Sequence, residues 1–209
     1  SSLQKTYRDH AFLCEESGRT GPEDADYLWI IDPLDGTSNF MRGIPHYCVS
    51  IACVAKGKLE HAVILDPIRQ EEFTASRGRG AQLNGRRMRV SNRRELKESL
   101  IGTGTPFLGH CDDLLDWYVK GLASIAGQSM GIRRMGSAAL DLAYVAAGRI
   151  DGFWEAGLNA WDVAAGVLLV RESGGLVTDF KGSDAGLYGG NIMSANPKLL
   201  RQIAGAIRA

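Results

Sequence analysis

Along the first half of the chain, apolar residues come in short, strand-like runs bounded by glycine, asparagine or charged residues. Tyr27–Ile31 (YLWII) is rich in strand formers, and His46–Ala55 (HYCVSIACVA) is a second such run. Lys56-Gly57-Lys58 marks a turn, after which 59–66 (LEHAVILD) returns as the hairpin partner. Residues 71–76 (EEFTAS) and the following RGRGAQLNGRRMRV continue the pattern, with Gly78, Gly80 and Asn84-Gly85 at tight turns. Residues 99–104 (SLIGTG) predict a further strand.

The second half changes period. From Asp112 to Ala126 the apolar positions Leu114, Leu115, Tyr118, Val119 and Leu122 make a helical stripe. Residues 136–148 predict an Ala- and Leu-rich helix ending at Gly148. Then come a strand at 150–155 (IDGFWE), a helix at 161–175 closed by two glycines, and a strand at 176–180 (LVTDF). Asn196-Pro197 opens a last helix, with proline in its first turn. Together these elements predict a layered α/β fold, an antiparallel meander followed by helix–strand units packed on it. No repeat or proline-rich linker divides the chain, so 1–209 reads as one domain.

Composition changes this picture little. Lys plus Arg equals Asp plus Glu at 24 each, so net charge makes no case for a nucleic acid or an anionic membrane. One local exception is the group Arg77, Arg79, Arg86, Arg87, Arg89, Arg93 and Arg94. Cys14, Cys48, Cys53 and Cys111 show no CxxC pair and no zinc spacing, and read as reduced thiols. There is no leader-like start and no apolar run of about 18 residues, so a cytoplasmic location away from membranes is expected.

Chemistry gathers around WIIDPLDGTSNF, Trp29 to Phe40, where an apolar strand runs into Asp32 and Asp35. Pro33 is expected to end the strand at Asp32. Two carboxylates brought close repel and raise each other's pKa unless a cation or proton lies between them. Mg²⁺ suits such a site, since it favours carboxylates together with substrate phosphate. An isolated DPLDG is more often a plain turn, but Gly36-Thr37-Ser38 adds the flexible backbone and hydroxyls that approach a phosphate. Glu15-Glu16 lies upstream, and Asp162 stands at a helix start where an N-terminal structural role also fits.

DPLDGTSNF is similar to the DPxDGTxNF signature of the inositol monophosphatase family. WDVAAGVLLVRESGG resembles its second signature, and CEESG its GEESG element, with Cys14 in place of glycine. The similarity continues through PHYCVSIA, DPIRQEEFTASRGRGAQLNGR and RRMGSAALDLAYVAAGRIDGFWE, covering about Ala11 to Pro197. It implies the alternating αβαβα sandwich of the fructose-bisphosphatase-like sugar phosphatases. The implied activity is Mg²⁺-dependent hydrolysis of inositol monophosphates, with two or three ions per site.

By motif position, Glu15, Asp32 and the Leu34 carbonyl would hold one ion, and Asp32, Asp35 and Asp162 a second. Thr37 and Glu15 would orient the attacking water, and the N–H groups of Gly36 and Thr37 would meet the phosphate. Glu155 would bind substrate hydroxyls, beside a polyol pocket lined by Gly136, Ser137 and Ala138, with Arg133 at its edge. The resemblance further implies lithium sensitivity, a homodimer and a small polyol phosphate as substrate. Fructose-bisphosphatases and 3′-phosphoadenosine nucleotide phosphatases share the metal constellation, and bacterial members are linked to transcription and RNA-processing machinery. The family also carries a Val-Thr-x-x-Asp element upstream of the matched region, so the sequence reads as truncated at its N-terminus.

Overall fold

The computed structural model describes residues 2–106, 114–184 and 186–208. A short helix α1 (Ser2–Thr6) leads into β1 (Ala11–Cys14), β2 (Gly18–Thr20) and the long β3 (Tyr27–Asp35). Helix α2 (Thr37–Met41) follows, and β4 (Cys48–Ala55), β5 (Lys58–Asp66), β6 (Glu71–Ser76), β7 (Gly80–Leu83) and β8 (Arg86–Arg87) complete the meander. A 3₁₀ turn over Leu96–Glu98 precedes β9 (Leu100–Thr103). The rest alternates: α3 (Leu115–Ala126), β10 (Gly131–Arg133), α4 (Ala138–Ala146), β11 (Gly152–Glu155), α5 (Ala160–Glu172), β12 (Leu176–Thr178), β13 (Ile192–Ala195) and α6 (Pro197–Arg208).

Two sheets result. The first has eight strands in the order β2-β1-β3-β4-β5-β6-β7-β8, antiparallel except where β1 runs parallel to β3. The second has five, ordered β10-β9-β11-β13-β12. Helix α5 packs on β3 to β7 and also against α4, which in turn touches β11 and β13. Helices α3 and α6 pack together, α6 on β11 and β13. The layers are therefore sheet, helix pair, sheet, helix pair. Among the described residues no long helix supplies a fifth.

One apolar core lies under the α4–α5 pair, with Ile30, Ile64, Phe73, Leu140, Leu142 and Leu169 almost fully buried. A second, around Trp154, Ile101, Ile125 and Ile203, joins the five-stranded sheet to α3 and α6. The hairpin turns have the positive φ that their sequences predict, 48° and 76° at Lys56-Gly57 and 48° and 75° at Asn84-Gly85.

Several expected boundaries need correction. Strand β3 does not stop at Asp32 but passes through Pro33 to Asp35, its register with β4 shifting between Asp32 and Asp35. The strand expected over 176–180 ends at Thr178. Helix α3 begins at Leu115. Asp112, Asp113 and Cys111 lie outside the described residues. Strands β1, β2, β10 and β13 were not expected from the apolar pattern. Cys14, Cys48 and Cys53 are free thiols. Among the described residues no helix is long and apolar enough to cross a membrane.

Candidate metal and phosphate site

In a regular strand, residues three apart face opposite sides of the sheet. Asp32 and Asp35 escape this because Asp32 pairs with Ser50 and Asp35 with Cys48, so β3 advances three residues while β4 advances two. The extra residue is a bulge, which resets the side-chain alternation. Both acids therefore line the same cavity of about 320 Å³. The bulge is held locally: the Leu34 N–H donates to Asp32 Oδ1 at 2.9 Å, and the Thr37 hydroxyl donates to the Leu34 carbonyl at 2.9 Å. Gly36, at φ 93°, makes the turn into α2; a Cβ there would stand 3.0 Å from the His46 carbonyl.

The other acids arrive on different elements. Glu15 follows β1, whose parallel pairing with β3 sets Cys14 beside Ile31. The Glu15 N–H donates to the Ile31 carbonyl at 3.3 Å, which brings this exposed residue alongside Asp32. Asp162 is the third residue of α5 and closes a capping box with Asn159, whose N–H donates to Asp162 Oδ2 at 2.7 Å. Its structural and chemical roles coexist, because the carboxyl group still reaches the cavity. Asp35 is fixed by α4: Ser137, the N-cap residue, donates to Asp35 Oδ2 at 2.6 Å and the Ala139 N–H at 2.8 Å.

Asp32, Asp35 and Asp162 each place a carboxylate oxygen within 4.8 Å of the others. Burial, then the Asp35 charge, raises the Asp32 pKa to about 8. Burial also raises Asp35, against the hydrogen bonds from Ser137 and Ala139. Asp162 rises to about 7, first by burial and then by the Asp35 charge, against the hydrogen bond from Asn159. Three acids that hold their protons this firmly form a donor set suited to a hard divalent cation, which would relieve the repulsion.

Glu155 closes β11 and lines the cavity, 8% exposed, with its pKa raised to about 8 by burial and then by Asp35. Gly136, Ser137 and Ala138 line the cavity as well. Arg133 does not. It is exposed and turns its guanidinium to the Ile132 carbonyl at 2.9 Å. The lining arginine is its neighbour Arg134, which donates to Thr105 Oγ1 at 2.9 and 3.2 Å.

Other residues escaped the sequence reading, Gly157, Leu158 and Asn159 in the cavity lining among them. Gly104 and Asp141 line the cavity. Asn39 is buried beneath it and donates to the carbonyls of His46 and Met135, both at 2.8 Å, tying α2 to the Gly136 segment. Its place inside DGTSNF was the available signal. Among the described residues no histidine lines the cavity.

A layered fold with converging acids and a hydroxyl around one cavity defines a class, and comparison with known proteins agrees. The chain belongs to the inositol monophosphatase family, whose model it matches over residues 1–209. Among its relatives is the Nus factor SuhB of Pseudomonas aeruginosa, 58% identical over 210 residues, spanning 100% of this chain and 78% of that protein. The Nus factor SuhB of Escherichia coli K12 is 48% identical, spanning 99% and 77%. Among solved structures, the extragenic suppressor protein suhB from Bartonella henselae aligns with a TM-score of 0.94 at 47% identity, over 99% of this chain and 78% of that one. The IMPase of Thermotoga maritima aligns with a TM-score of 0.89 at 36% identity, over 99% and 77%.

Proposed function

We propose that this chain, as a single domain, is a Mg²⁺-dependent phosphomonoesterase that hydrolyses inositol monophosphates and similar small polyol phosphates. The observation that carries the reading is the trio Asp32, Asp35 and Asp162, within 4.8 Å of one another in a cavity that also presents Thr37 and Glu155. Glu15, Asp32 and the Leu34 carbonyl would hold one ion, and Asp32, Asp35 and Asp162 another, with Asp32 shared. Bound there, a pair of divalent cations supplies an acidified water and charge stabilisation for an in-line displacement at phosphorus.

The protein's own groups do the rest. The Thr37 hydroxyl spends its proton on the Leu34 carbonyl, which leaves its lone pairs to accept from a water. Exposed Glu15 stands beside Asp32, on the side from which that water would be oriented. The N–H groups of Gly36 and Thr37 would meet the phosphate oxygens, and Glu155 would engage hydroxyls of the alcohol half. The family reading also carries a homodimer, lithium sensitivity and a cytoplasmic location as proposals.

A second reading rests on the relatives named Nus factor SuhB: a partner in the transcription machinery. Arg77, Arg79, Arg86, Arg87, Arg89, Arg93 and Arg94 are all exposed. Of these seven, only Arg77 has a carboxylate partner among the described residues, Glu60 at 3.6 Å.

Asp162→Asn separates the two. It is expected to lower Mg²⁺-dependent turnover of inositol 1-phosphate by at least about a hundredfold while the circular dichroism stays native. If a cellular phenotype survives that loss, the binding role is primary. Faster turnover of fructose 1,6-bisphosphate or a 3′-phosphoadenosine nucleotide than of inositol 1-phosphate would overturn the substrate assignment.

A further inference from the structure

Helix α4 is almost wholly apolar, and Asp141 is buried within it, flanked by buried Leu140 and Leu142. Its N–H closes the first helical turn by donating to the Ser137 carbonyl at 3.0 Å. Positions three and four apart share a helix face, so the face that turns Ser137 and Ala138 toward the cavity also carries Asp141, which lines it. The side chain is 1% exposed, and its Oδ1 has no hydrogen-bond partner. A buried carboxyl oxygen left unpaired costs free energy, and such a group calls for a partner.

Capping does not account for this residue. Ser137 caps α4, and the carboxyl group held by the helix N-terminus is that of Asp35. Nor is Asp141 one of the three acids that converge on a cation. Its surroundings are Glu155, Asp35 and Arg134, the two acids acting on it electrostatically in one sense and the arginine in the other, and all three line the same cavity. Apart from Asp35, the cavity there thus holds two buried acids, Asp141 and Glu155, and one arginine. A sugar or cyclitol hydroxyl both donates and accepts, so it can pair with such acids whether or not they carry protons.

Resting on the phosphatase reading above, we propose that Asp141 is a second hydroxyl-recognition residue beside Glu155. Its unpaired Oδ1 hydrogen-bonds a hydroxyl on the alcohol half of a polyol phosphate. An ester whose alcohol has no further hydroxyl leaves that oxygen buried and unpaired, and is selected against for that reason.

The test compares inositol 1-phosphate with phenyl phosphate, using steady-state kinetics in Mg²⁺. It adds the calorimetric affinity for inositol 1-phosphate with Ca²⁺ in place of Mg²⁺. In Asp141→Ala the ratio of kcat/KM for the two substrates is expected to fall about tenfold, mainly through KM, with a matching loss of affinity. Asp141→Asn, which keeps a hydrogen-bonding oxygen, should hold the ratio within about threefold of wild type.

Equal losses on both substrates, no change on either, or an asparagine variant as impaired as alanine would overturn the proposal. If the alanine variant does not fold, Asp141→Leu is read in the same way. A wild type that binds inositol 1-phosphate without turning it over overturns the phosphatase reading, and the affinity ratio then judges Asp141. A wild type that binds no polyol phosphate overturns both.

Discussion

A methyl group at position 104 would overlap the carboxyl group of Glu155, so Gly104 makes the room in which that acid sits. Gly104→Ala should displace Glu155 and cut kcat/KM for inositol 1-phosphate by about tenfold to a hundredfold. Steady-state kinetics on the variant check this, and wild-type values would remove Glu155 from the site. In the sequence, Gly104 reads as a strand-ending glycine, because the group that demands it is remote along the chain. Asp141 was hidden similarly, as one polar letter inside an Ala/Leu helix. The motif acids were legible because DPLDG, CEESG and AWD have residue types with a chemistry of their own. Choosing between Arg133 and Arg134 required knowing where β10 ends and which side chain then faces the cavity.

Among the elements, α4 and α5 cross closely at Gly166, where a Cβ would stand 2.5 Å from the Leu142 side chain. Both helices carry site residues, Ser137 capping one and Asp162 opening the other. Gly166→Ala should therefore overpack the contact and destabilise the fold by about 1–3 kcal/mol. Urea unfolding measures it, and an unchanged midpoint would show that the helices part at no cost. These helices were visible in the sequence because their apolar runs are long. Strand β13 was not, since four buried residues (IMSA) show no alternation. The bulge in β3 was hidden by Pro33, which removes a donor and so reads as the end of a strand. Here the shift in register carries the chain past it.

Across the whole molecule, the site draws Asp32 and Asp35 from the eight-stranded sheet, Glu155 from the five-stranded one, and Asp162 from a helix between them. Asp32 and Glu155 titrate at about 8 and Asp162 at about 7, against ordinary values of 3.8, 4.5 and 3.8. Between these limits the folded chain holds protons that the unfolded chain releases, so cation-free stability falls as pH rises from about 4 to about 8. A divalent cation held by Asp32, Asp35 and Asp162 would take the place of the protons on those three acids. Melting temperatures without metal should decline from about pH 5 to about pH 8, and Mg²⁺ should restore more at the higher pH. Equal Mg²⁺ shifts at both would rule out this exchange. The extra residue in β3 also sets what heredity must protect. Exchanging the Leu34 side chain leaves its carbonyl, the part that meets Thr37, in place. Losing one codon between Asp32 and Asp35 would keep every acid in the gene and, as residues two apart, on one face, yet would take away the bulged backbone whose Leu34 N–H holds Asp32 and whose carbonyl receives the Thr37 hydroxyl. In that stretch, selection guards length before identity.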